Sequence, residues 1–330
     1  MSSSLLHTST HVLSAGPSAL AEAGKLIQEG QLVAFPTETV YGLGANAFEE
    51  AAVSQVFGVK LRPRINPLIV HVLDLAAAET LVVFHETARR LATAFWPGGL
   101  TLVLPRRAST PLAYLVSAGL DTVAVRAPSH PVARALLKAA GVPIAAPSAN
   151  RSGRISPTTA GHVLEELDGR ISLILDGGAS GIGVESTVVG FDGERPVLLR
   201  KGAVPRDGIE RIVGPLFSHD GESLLAPGMM KSHYAPQAGL RLGATSVGAN
   251  EALLAFGPKP LDGDFPVLNL STRGDLSEAA ANLFSMLRSL DKPGIGGIAV
   301  MPIPDIGLGE AINDRLMRAA APRGAGGEHA

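Results

Sequence analysis

Three polar segments of this 330-residue chain carry cations, hydroxyls and glycines where the neighbouring residues are apolar. They span residues 35–71, 147–157 and 183–200. In the first segment Lys60, Arg62 and Arg64 stand within five positions, and no acidic residue lies between Glu50 and Asp74. The whole chain has a formal net charge of -2, so this local positive charge does not follow from a generally basic protein. The pattern indicates a site for an anionic ligand.

The cations at 60–64 are held on a stiff stretch of chain, because Pro63 and Pro67 restrict its backbone. Fixed cations in such a place suit a triphosphate, whose charge must be neutralised before its α-phosphorus can be attacked. A solvated helix end is the alternative interpretation of this cluster. His71 follows in an apolar strand pattern, where a lone histidine is usually a core residue.

Arg126 directly follows the strand-like run TVAV, which is expected to be buried. A buried guanidinium needs an anionic partner, so a ligand carboxylate or phosphate is favoured over a surface role. The residues from Thr122 to Leu164 again contain no acid. The sequence therefore predicts that a ligand supplies the partner of Arg126.

Hydroxyl-rich loops form the other two segments. Ser148 and Asn150 come at the end of an apolar strand, the usual position of ligand-binding residues in α/β sheets. The EST run at 185–187 places three polar side chains in a buried-looking region, which is costly unless partners or a ligand satisfy them. A surface loop is the alternative interpretation of 147–157.

The familiar nucleotide motifs do not explain these segments. GLGANA at 42–47 satisfies G-x-G-x-x-A, but residues 51–73 contain no acid to bind a ribose. We therefore interpret it as a tight turn beside Thr39. The chain contains no Walker A motif, no HExxH and no G-x-S-x-G.

Composition bounds the class of protein. The chain is 46% apolar and has no cysteine, which excludes disulfides, thiolate metal sites and cysteine nucleophiles. Neither a signal peptide nor a membrane span is predicted, so a cytoplasmic location is expected. The near-neutral charge argues against a wholesale nucleic-acid coat but allows a local basic groove.

The hydrophobic pattern predicts an α/β fold whose strands are too dense for simple βαβ alternation. We expect a twisted, mixed parallel and antiparallel open sheet with flanking helices, followed by a smaller α/β domain. The predicted boundaries are 1–14 for an N-terminal tail, 15–214 for the catalytic domain, 215–239 for a linker, 240–322 for the second domain and 323–330 for a disordered tail.

Five motifs in one order carry a resemblance to a known family. They read PTETVYGLG, K-x-R-P-x-x-N-P-L, PSAN-x-SG-x-x-S-P, ESTVV and LR-x-GAV. The chain resembles the YrdC/YwlC family of L-threonylcarbamoyladenylate synthases over 15–322, in its long form with a Rossmann-like C-terminal domain. The resemblance implies a nucleotidyltransferase that converts L-threonine, bicarbonate or CO2 and ATP into L-threonylcarbamoyl-AMP and diphosphate. It also implies Mg2+ accompanying ATP, no organic cofactor, and downstream proteins that complete the modification of the tRNA adenosine next to the anticodon.

The resemblance also assigns roles to residues. The residues implied to bind L-threonine are Thr39, His71, Arg126, Ala146 and Ser186. Those implied to bind ATP are Arg62, Asn66, Thr122, Ser148, Ser156, Arg200 and Tyr234, the last as a lid from the linker. Lys60 and Arg62 would stabilise phosphate charge during catalysis, and no protein metal ligand is expected. This chain differs from the family at Met230 and Ser232, which replace polar or cationic residues, and at Lys201, which replaces proline.

Two other functions fit parts of the pattern. The acid-free basic stretches could line a groove for double-stranded RNA or tRNA, although only 4% of the residues are aromatic and no stacking platform is visible. A related carbamoyl-adenylate enzyme of metallocentre maturation is disfavoured, because the chain has no cysteine and no accessory zinc-finger or acylphosphatase-like segment.

Overall fold

A computed structural model describes residues 9–218 and 234–321. Mixed open-sheet architecture is confirmed in the first domain, whose strands form an 11-stranded sheet in the order β1-β8-β2-β3-β7-β4-β6-β5-β9-β10-β11. The strands are β1 His11–Ser14, β2 Val33–Phe35, β3 Gly42–Asn46, β4 Ile69–His71, β5 Leu100–Pro105, β6 Thr122–Arg126, β7 Ile144–Ala145, β8 Leu173–Asp176, β9 Thr187–Asp192, β10 Arg195–Arg200 and β11 Phe217–Ser218.

Helices cover this sheet and bury apolar faces against it. They are α1 Pro17–Gln28, α2 Glu50–Lys60, α3 Leu75–Glu79, α4 Glu86–Phe95, α5 Pro131–Ala140, α6 Ala160–Leu167 and α7 Arg206–Val213. In α5, Pro131 stands in the first turn, the His130 side chain accepts from Val132 N, and Gly141 ends the helix in the left-handed conformation. The sequence therefore sets both ends of the helix that follows the Arg126 strand.

The central strands bring two predicted site residues to one edge of the sheet. β4 and β6 are parallel, and their register places His71 opposite Arg126. β7 pairs with β4, and the Ala146 amide donates to the Ile69 carbonyl at 2.9 Å. An isolated bridge then joins Ser148 to Gly42. The carboxyl ends of β4 and β6 therefore meet the start of the 147–157 loop.

The prediction that 42–47 is a tight turn is wrong. Gly42–Asn46 is a buried strand that runs antiparallel to β2. A Cβ atom on Gly44 would lie 2.8 Å from Ile144 Cγ2 and 2.9 Å from a ring carbon of Phe35. Position 44 therefore requires a glycine, because neighbouring side chains pack too closely there to admit a Cβ atom.

The N-terminal tail is shorter than predicted. His11–Ser14 forms β1, which pairs in parallel with β8 at the edge of the sheet. Thr10 supports this start, because its hydroxyl donates to the Ile171 carbonyl at 2.7 Å. Three of the four residues of β1 are exposed, so the strand lacks the apolar alternation that would have predicted it.

The second domain is a small parallel α/β unit, as predicted. Its strands β12 Gly239–Leu242, β13 Glu251–Ala255, β14 Val267–Asn269 and β15 Gly297–Val300 form a sheet in the order β12-β15-β13-β14. Helices α8 Leu276–Leu290 and α9 Leu308–Ala320 pack on it.

Most of the predicted linker, including Met230 and Ser232, lies outside the described residues. Phe217–Ser218, at its start, extends the first sheet as β11. No helix within 9–218 or 234–321 is both long and apolar enough to cross a bilayer.

Candidate active site

A cavity lined by many polar side chains lies at the carboxyl ends of β4 and β6, where the 147–157 loop and the EST segment meet. Nine of the predicted site residues line it: Thr39, Arg62, His71, Arg126, Ala146, Ser148, Ser186, Arg200 and Tyr234. Each of the five motifs that carried the family resemblance contributes at least one of these residues. The fold therefore gathers segments that are far apart in the chain around one space.

Arg126 is buried at this cavity and held by three acceptors. Its Nε donates to the Gly98 carbonyl at 3.1 Å, Nη1 to Thr39 Oγ1 at 2.9 Å and Nη2 to Glu38 Oε1 at 2.6 Å. Each terminal nitrogen carries two N–H groups and has one acceptor among the described residues. One N–H on each terminal nitrogen thus remains for a ligand carboxylate.

The protein itself supplies the anionic partner of Arg126, whereas the sequence predicts that a ligand supplies it. Glu38 forms that ion pair, and its other oxygen accepts from the amides of Ser129 and His130 at 3.1 and 3.2 Å. Burial opposes ionisation of Glu38, but Arg126 and the amides outweigh it and lower the pKa of the carboxyl. A ligand carboxylate would therefore bind to an arginine whose charge is already balanced and whose orientation is fixed.

His71 contributes a neutral polar group to the same region. It is only 3% exposed, and its Nδ1 has no hydrogen-bond partner among the described residues. Burial, with a smaller effect from Arg126, lowers the pKa of His71 to about 3, so the ring is uncharged at neutral pH. A buried ring nitrogen without a partner is costly, which favours a ligand that binds it.

The PTET turn presents its hydroxyls through a local network. Thr37 Oγ1 lies 2.8 Å from Thr39 Oγ1 and donates to the Val40 carbonyl at 2.6 Å. Both threonines are buried at the cavity. Because Arg126 also donates to Thr39, this hydroxyl is fixed by the turn and by the sheet.

Arg200 and Ser186 join the EST segment to β10. Arg200 donates to the Ser186 carbonyl through Nε at 3.0 Å and Nη2 at 2.9 Å, and to the Ser186 hydroxyl at 3.0 Å. That hydroxyl also lies 2.8 Å from Thr101 Oγ1. The cavity wall therefore contains a second fixed arginine beside a second motif hydroxyl.

Arg62 is oriented by its own loop. Its Nε donates to the Asn66 carbonyl at 3.2 Å and its Nη2 to the Pro67 carbonyl at 2.9 Å. The turn begins at Leu61, which adopts a left-handed conformation at the end of α2. Burial lowers the pKa of Arg62 to about 10, so the guanidinium keeps its charge at neutral pH.

Lys60 does not line the cavity, in contrast to its predicted place among the phosphate-binding cations. It is 1% exposed, and its Nζ donates to the carbonyls of Ser148 and Asn150. Burial, followed by Arg62, lowers the pKa of its ammonium well below the ordinary value. As the last residue of α2, Lys60 points into the protein and supports the loop that carries Ser148.

Three other predicted ATP-binding residues also lie outside the lining. Ser156 is fully buried and donates to Glu185 Oε1 at 2.5 Å. Asn66 is buried and its carbonyl orients Arg62. Thr122 begins β6 while Arg126 ends it, roughly 13 Å along the strand at about 3.3 Å per residue. Their binding to ATP stays a prediction, but the structure places them behind or away from the cavity wall.

Tyr234 reaches the cavity from the linker, as predicted, although its binding to ATP stays a prediction. It is 1% exposed and has a left-handed backbone conformation with φ of 64°. Its ring stacks on Phe284 of α8, with centroids 5.6 Å apart. The second domain thus holds this side chain against the first.

Sequence reasoning assigned no individual role to two acids, a threonine and an arginine at or near the site. Glu38 and Glu185 each precede a predicted ligand hydroxyl, Thr37 is the first threonine of PTET, and Arg315 lies in α9. The signal that was available is that PTET and EST each place an acid inside an apolar region. A buried acid needs a cationic partner, but the motifs do not show where in the chain that cation lies.

The arrangement can bind an anion with more negative charge than a carboxylate. Arg62, Arg126 and Arg200 line the cavity, whereas the carboxylates of Glu38 and Glu185 are each paired with an arginine. Within the described part of the chain, no group of three or more histidine and acidic side chains could hold a metal ion. Ligand binding here therefore depends on guanidinium, hydroxyl and backbone groups.

Two family models match consecutive parts of the chain. The Sua5_yciO_yrdC model, described as Telomere recombination, matches residues 25–202. The model described as Threonylcarbamoyl-AMP synthase, C-terminal domain, matches residues 204–321. Their border falls between β10 and α7.

Known proteins resemble the chain along nearly its whole length. A threonylcarbamoyl-AMP synthase of Bacillus subtilis (strain 168) is 44% identical, covering 95% of this chain and 96% of the relative. One of Schizosaccharomyces pombe is 37% identical, covering 92% and 88%. The crystal structure of P. abyssi Sua5 complexed with L-threonine matches with a TM-score of 0.86 at 39% identity, covering 95% of this chain and 97% of that one.

Proposed function

Because this chain belongs to the family of threonylcarbamoyl-AMP synthases, we propose that its cavity holds L-threonine at Arg126 and the phosphates of ATP at Arg62 and Arg200. The enzyme is a nucleotidyltransferase that makes L-threonylcarbamoyl-AMP and diphosphate from L-threonine, bicarbonate or CO2 and ATP. This is the first step of the threonylcarbamoyl modification of tRNA adenosine. One observation carries this proposal: Arg62, Arg126 and Arg200 line the same cavity, and each guanidinium is held in place by hydrogen bonds to the protein.

The amino-acid subsite is built around Arg126. One N–H on each of its terminal nitrogens is available to form a bidentate pair with the threonine carboxylate. Neutral His71 and the Thr39 hydroxyl offer hydrogen bonds without adding charge. The P. abyssi protein was crystallised with L-threonine, which supports an amino-acid site in this fold.

The nucleotide subsite combines Arg62, Arg200 and Ser148. Two guanidinium groups match the charge and oxygen geometry of a triphosphate. We propose that the nucleotide enters with Mg2+ held mainly by its own phosphates, because the two carboxylates near the cavity are already paired. Their arginine partners would have to release them before either could bind the ion.

Chemistry then requires positioning rather than a covalent enzyme intermediate. The threonine amine adds to CO2 derived from bicarbonate, forming a C–N bond and releasing a proton. A carbamate oxygen attacks the α-phosphorus of ATP, and the bond to the diphosphate oxygen breaks. Arg62 and Arg200 stabilise the phosphate charge that develops. Buried Tyr234 limits water access, which protects the short-lived carbamate.

Product formation tests this function directly. Diphosphate release by the purified full-length chain should require ATP, L-threonine and bicarbonate together, and mass spectrometry should find threonylcarbamoyl-AMP. Diphosphate release that ignores threonine would overturn the proposal. Equal turnover of L-threonine and L-threonine amide, which lacks the carboxylate, would instead contradict the assignment of the amino-acid subsite alone.

The product is an activated carbamoyl group, so we propose that downstream proteins transfer it to tRNA in the cytoplasm. Direct RNA binding stays a prediction. A filter-binding titration with tRNA at low and high salt would test it, because phosphate contacts weaken steeply with salt whereas small-molecule turnover should persist.

A further inference from the structure

A buried arginine of the second domain contacts the wall of the cavity without lining it. Arg315 of α9 is 0% exposed, and its Nε donates to Glu185 Oε2 at 2.7 Å. Its Nη2 donates to the Lys201 carbonyl at 3.0 Å, and its Nη1 to Asp314 Oδ2 at 2.6 Å. The guanidinium carbon also lies 5.1 Å from the centre of the Tyr234 ring. One side chain of the second domain therefore touches two segments of the first domain and Tyr234 of the linker.

Glu185 is the link between Arg315 and the ligand-binding groups. Its other oxygen accepts from Ser156 at 2.5 Å, and its backbone carbonyl accepts from the Ala203 amide at 2.9 Å. The next residue is Ser186, which accepts the hydrogen bonds from Arg200. The position of the Glu185 carboxylate is thus tied to the position of Arg200.

Charge makes this placement critical. Burial opposes ionisation of Glu185, but Arg315, then Arg200, outweigh it and lower the pKa of the carboxyl to about 2. Glu185 is therefore an anion beside an arginine that we assign to the phosphates of ATP. Without Arg315, the carboxylate would have to satisfy its charge elsewhere in the buried region, and Arg200 is the cation beside it.

Packing shows that the second domain supports several motif segments. Val40, Ile155 and Val184 belong to the first domain but are buried in the hydrophobic core of the second, beside Phe284. Each stands immediately next to a motif residue of the site: Thr39, Ser156 and Glu185. A Cβ atom on Gly183 would collide with the backbone of α8 at Ala280. The two domains are therefore in contact directly behind the cavity.

We propose that Arg315 is a positioning residue for the nucleotide: it holds Glu185 in place so that Arg200 remains directed at the phosphates of ATP. The proposal rests on the proposed function and gives the second domain a part in the active site. It deepens the assignment of the nucleotide subsite, because a residue about 115 positions beyond Arg200 then determines its electrostatics.

The first test replaces the charge with an apolar side chain of similar length. Arg315→Met should raise the KM for ATP by about tenfold or more, while the KM for L-threonine changes by less than about threefold. Calorimetric titration of the ATP analogue AMPPNP should show the same loss of affinity. Adding Glu185→Gln to this variant should restore most of the ATP affinity, because a neutral amide no longer competes for Arg200.

A second interdomain arginine provides a matched control. Arg288 of α8 contacts Glu165, Glu166 and the Ile155 carbonyl across the same pair of domains, but none of these partners lines the cavity, whereas Glu185, the partner of Arg315, does. Arg288→Met should lower thermal stability without a selective change in the KM for ATP. The assay uses each full-length variant at a temperature where circular dichroism shows it fully folded.

The outcomes separate three explanations. A selective loss of ATP affinity in Arg315→Met, recovered by Glu185→Gln, supports the proposal. Equal losses for both substrates in Arg315→Met and Arg288→Met would overturn it, because the second domain would then act only through general stability. If Arg315→Met does not fold, the equally uncharged but polar Arg315→Gln replaces it and should still weaken ATP selectively, and unchanged ATP affinity there overturns the proposal. Absence of threonine-dependent diphosphate release by the wild type would refute the proposed function, whereas AMPPNP affinity would still test Arg315.

Discussion

Two buried arginine–glutamate pairs border the same cavity, yet one forms within the first domain and the other joins the two domains. In the pair Glu38–Arg126, the arginine also donates to Thr39, the hydroxyl that follows the acid. In the pair Glu185–Arg315, the following hydroxyl is bound by a different arginine, Arg200.

The difference lies in which cation meets the ligand. At the amino-acid subsite, Arg126 neutralises the acid and faces the cavity, so the ligand shares an arginine with Glu38. At the nucleotide subsite, Arg315 neutralises the acid from behind, and Arg200 lines the cavity. A carboxylate ligand brings one charge and can share an arginine with Glu38, whereas a triphosphate brings several charges and gains from more than one guanidinium group.

Arg126→Ala should reduce kcat/KM for L-threonine by roughly 10³-fold. The variant lacks the guanidinium that binds the threonine carboxylate, and it leaves Glu38 buried without its cation. The KM for ATP should change far less. Steady-state diphosphate release with each substrate varied measures both values. Arg134→Ala is the matched control, since Arg134 donates to the Leu73 carbonyl from α5 and does not line the cavity. A larger effect on ATP than on threonine would reverse our assignment of the two subsites.

Arg62→Ala should raise the KM for ATP by about 10²-fold and leave the KM for threonine within about threefold, because only the phosphates lose a cation. Arg64 lies two residues away but is exposed and contacts only Ser54, at 3.4 Å, among its hydrogen bonds to described residues. Arg64→Ala should therefore leave both KM values near those of the wild type. If it reproduced the effect of Arg62→Ala, diffuse positive charge rather than an oriented guanidinium would explain ATP binding.

Neutralising each acid compares the two ion pairs by their stability. Glu185→Gln should lower the free energy of unfolding by about 3 kcal/mol, because a fully buried Arg315 loses one of its two carboxylate partners and keeps only Asp314. Glu38→Gln should cost less, about 2 kcal/mol, since its carboxylate is 13% exposed and solvent compensates part of the loss. Urea denaturation of the two variants gives the order, and a more damaging Glu38→Gln would contradict it.

Acid should destabilise the protein in two overlapping pH windows, of which the His71 window begins at the higher pH. Burial lowers the pKa of His71 from an ordinary 6.5 to about 3. Its contribution to the free energy of unfolding is therefore complete above pH 6.5. It is lost as the pH falls from 6.5 toward 3, because the histidine of the unfolded chain then takes up a proton that the folded one does not. Glu185 has a pKa of about 2 against 4.5, so its contribution is complete above pH 4.5 and is lost toward pH 2.

Denaturation curves at several pH values can assign each window to its residue. His71→Gln should flatten the slope of stability between pH 6.5 and 4.5, by up to about 1.4 kcal/mol per pH unit. Glu185→Gln should flatten it only below pH 4.5, where Glu38 still contributes because the pKa of its carboxyl is also lowered. An unchanged slope in either window would show that the ionisation of that residue is not linked to folding there.

Exposed ion pairs should matter least. Arg211 and Asp207 of α7 form a 2.8 Å pair in which both side chains are more than 60% exposed. Arg211→Gln should therefore change the free energy of unfolding by less than about 0.5 kcal/mol, since water and salt screen the pair. Thermal denaturation in low and high salt measures this. A cost as large as that of Glu185→Gln would mean that burial does not explain the difference between pairs.

Sequence pattern alone predicted most elements of the first domain and the residue types of its site. The run TVAVR predicted a buried strand ending in an arginine, and the structure places Arg126 at the end of β6 beside the cavity. Local pattern could not identify Glu38 as its partner, because the two residues are 88 positions apart. Such a pair is decided by the order of strands in the sheet.

The errors arose where a local pattern has more than one tertiary solution. GLGANA fits a turn by composition, but its glycines serve close packing of β3 on Phe35. Lys60 belongs to a cationic cluster, but as the last residue of α2 it points inward and binds backbone carbonyls. In both cases the neighbouring residues in the sequence do not show which side of the segment faces the protein core.

The amino-acid sequence specifies the motifs, their order, and the cations and hydroxyls that stand where apolar residues would otherwise be expected. Tertiary structure decided which cations face a ligand and which only neutralise a neighbouring acid. Arg126, Arg200 and Arg315 are the same residue type, and the register of the sheet and the docking of α9 give them different partners. The physical reason is that charge compensation depends on distance and burial in space, which chain position does not specify.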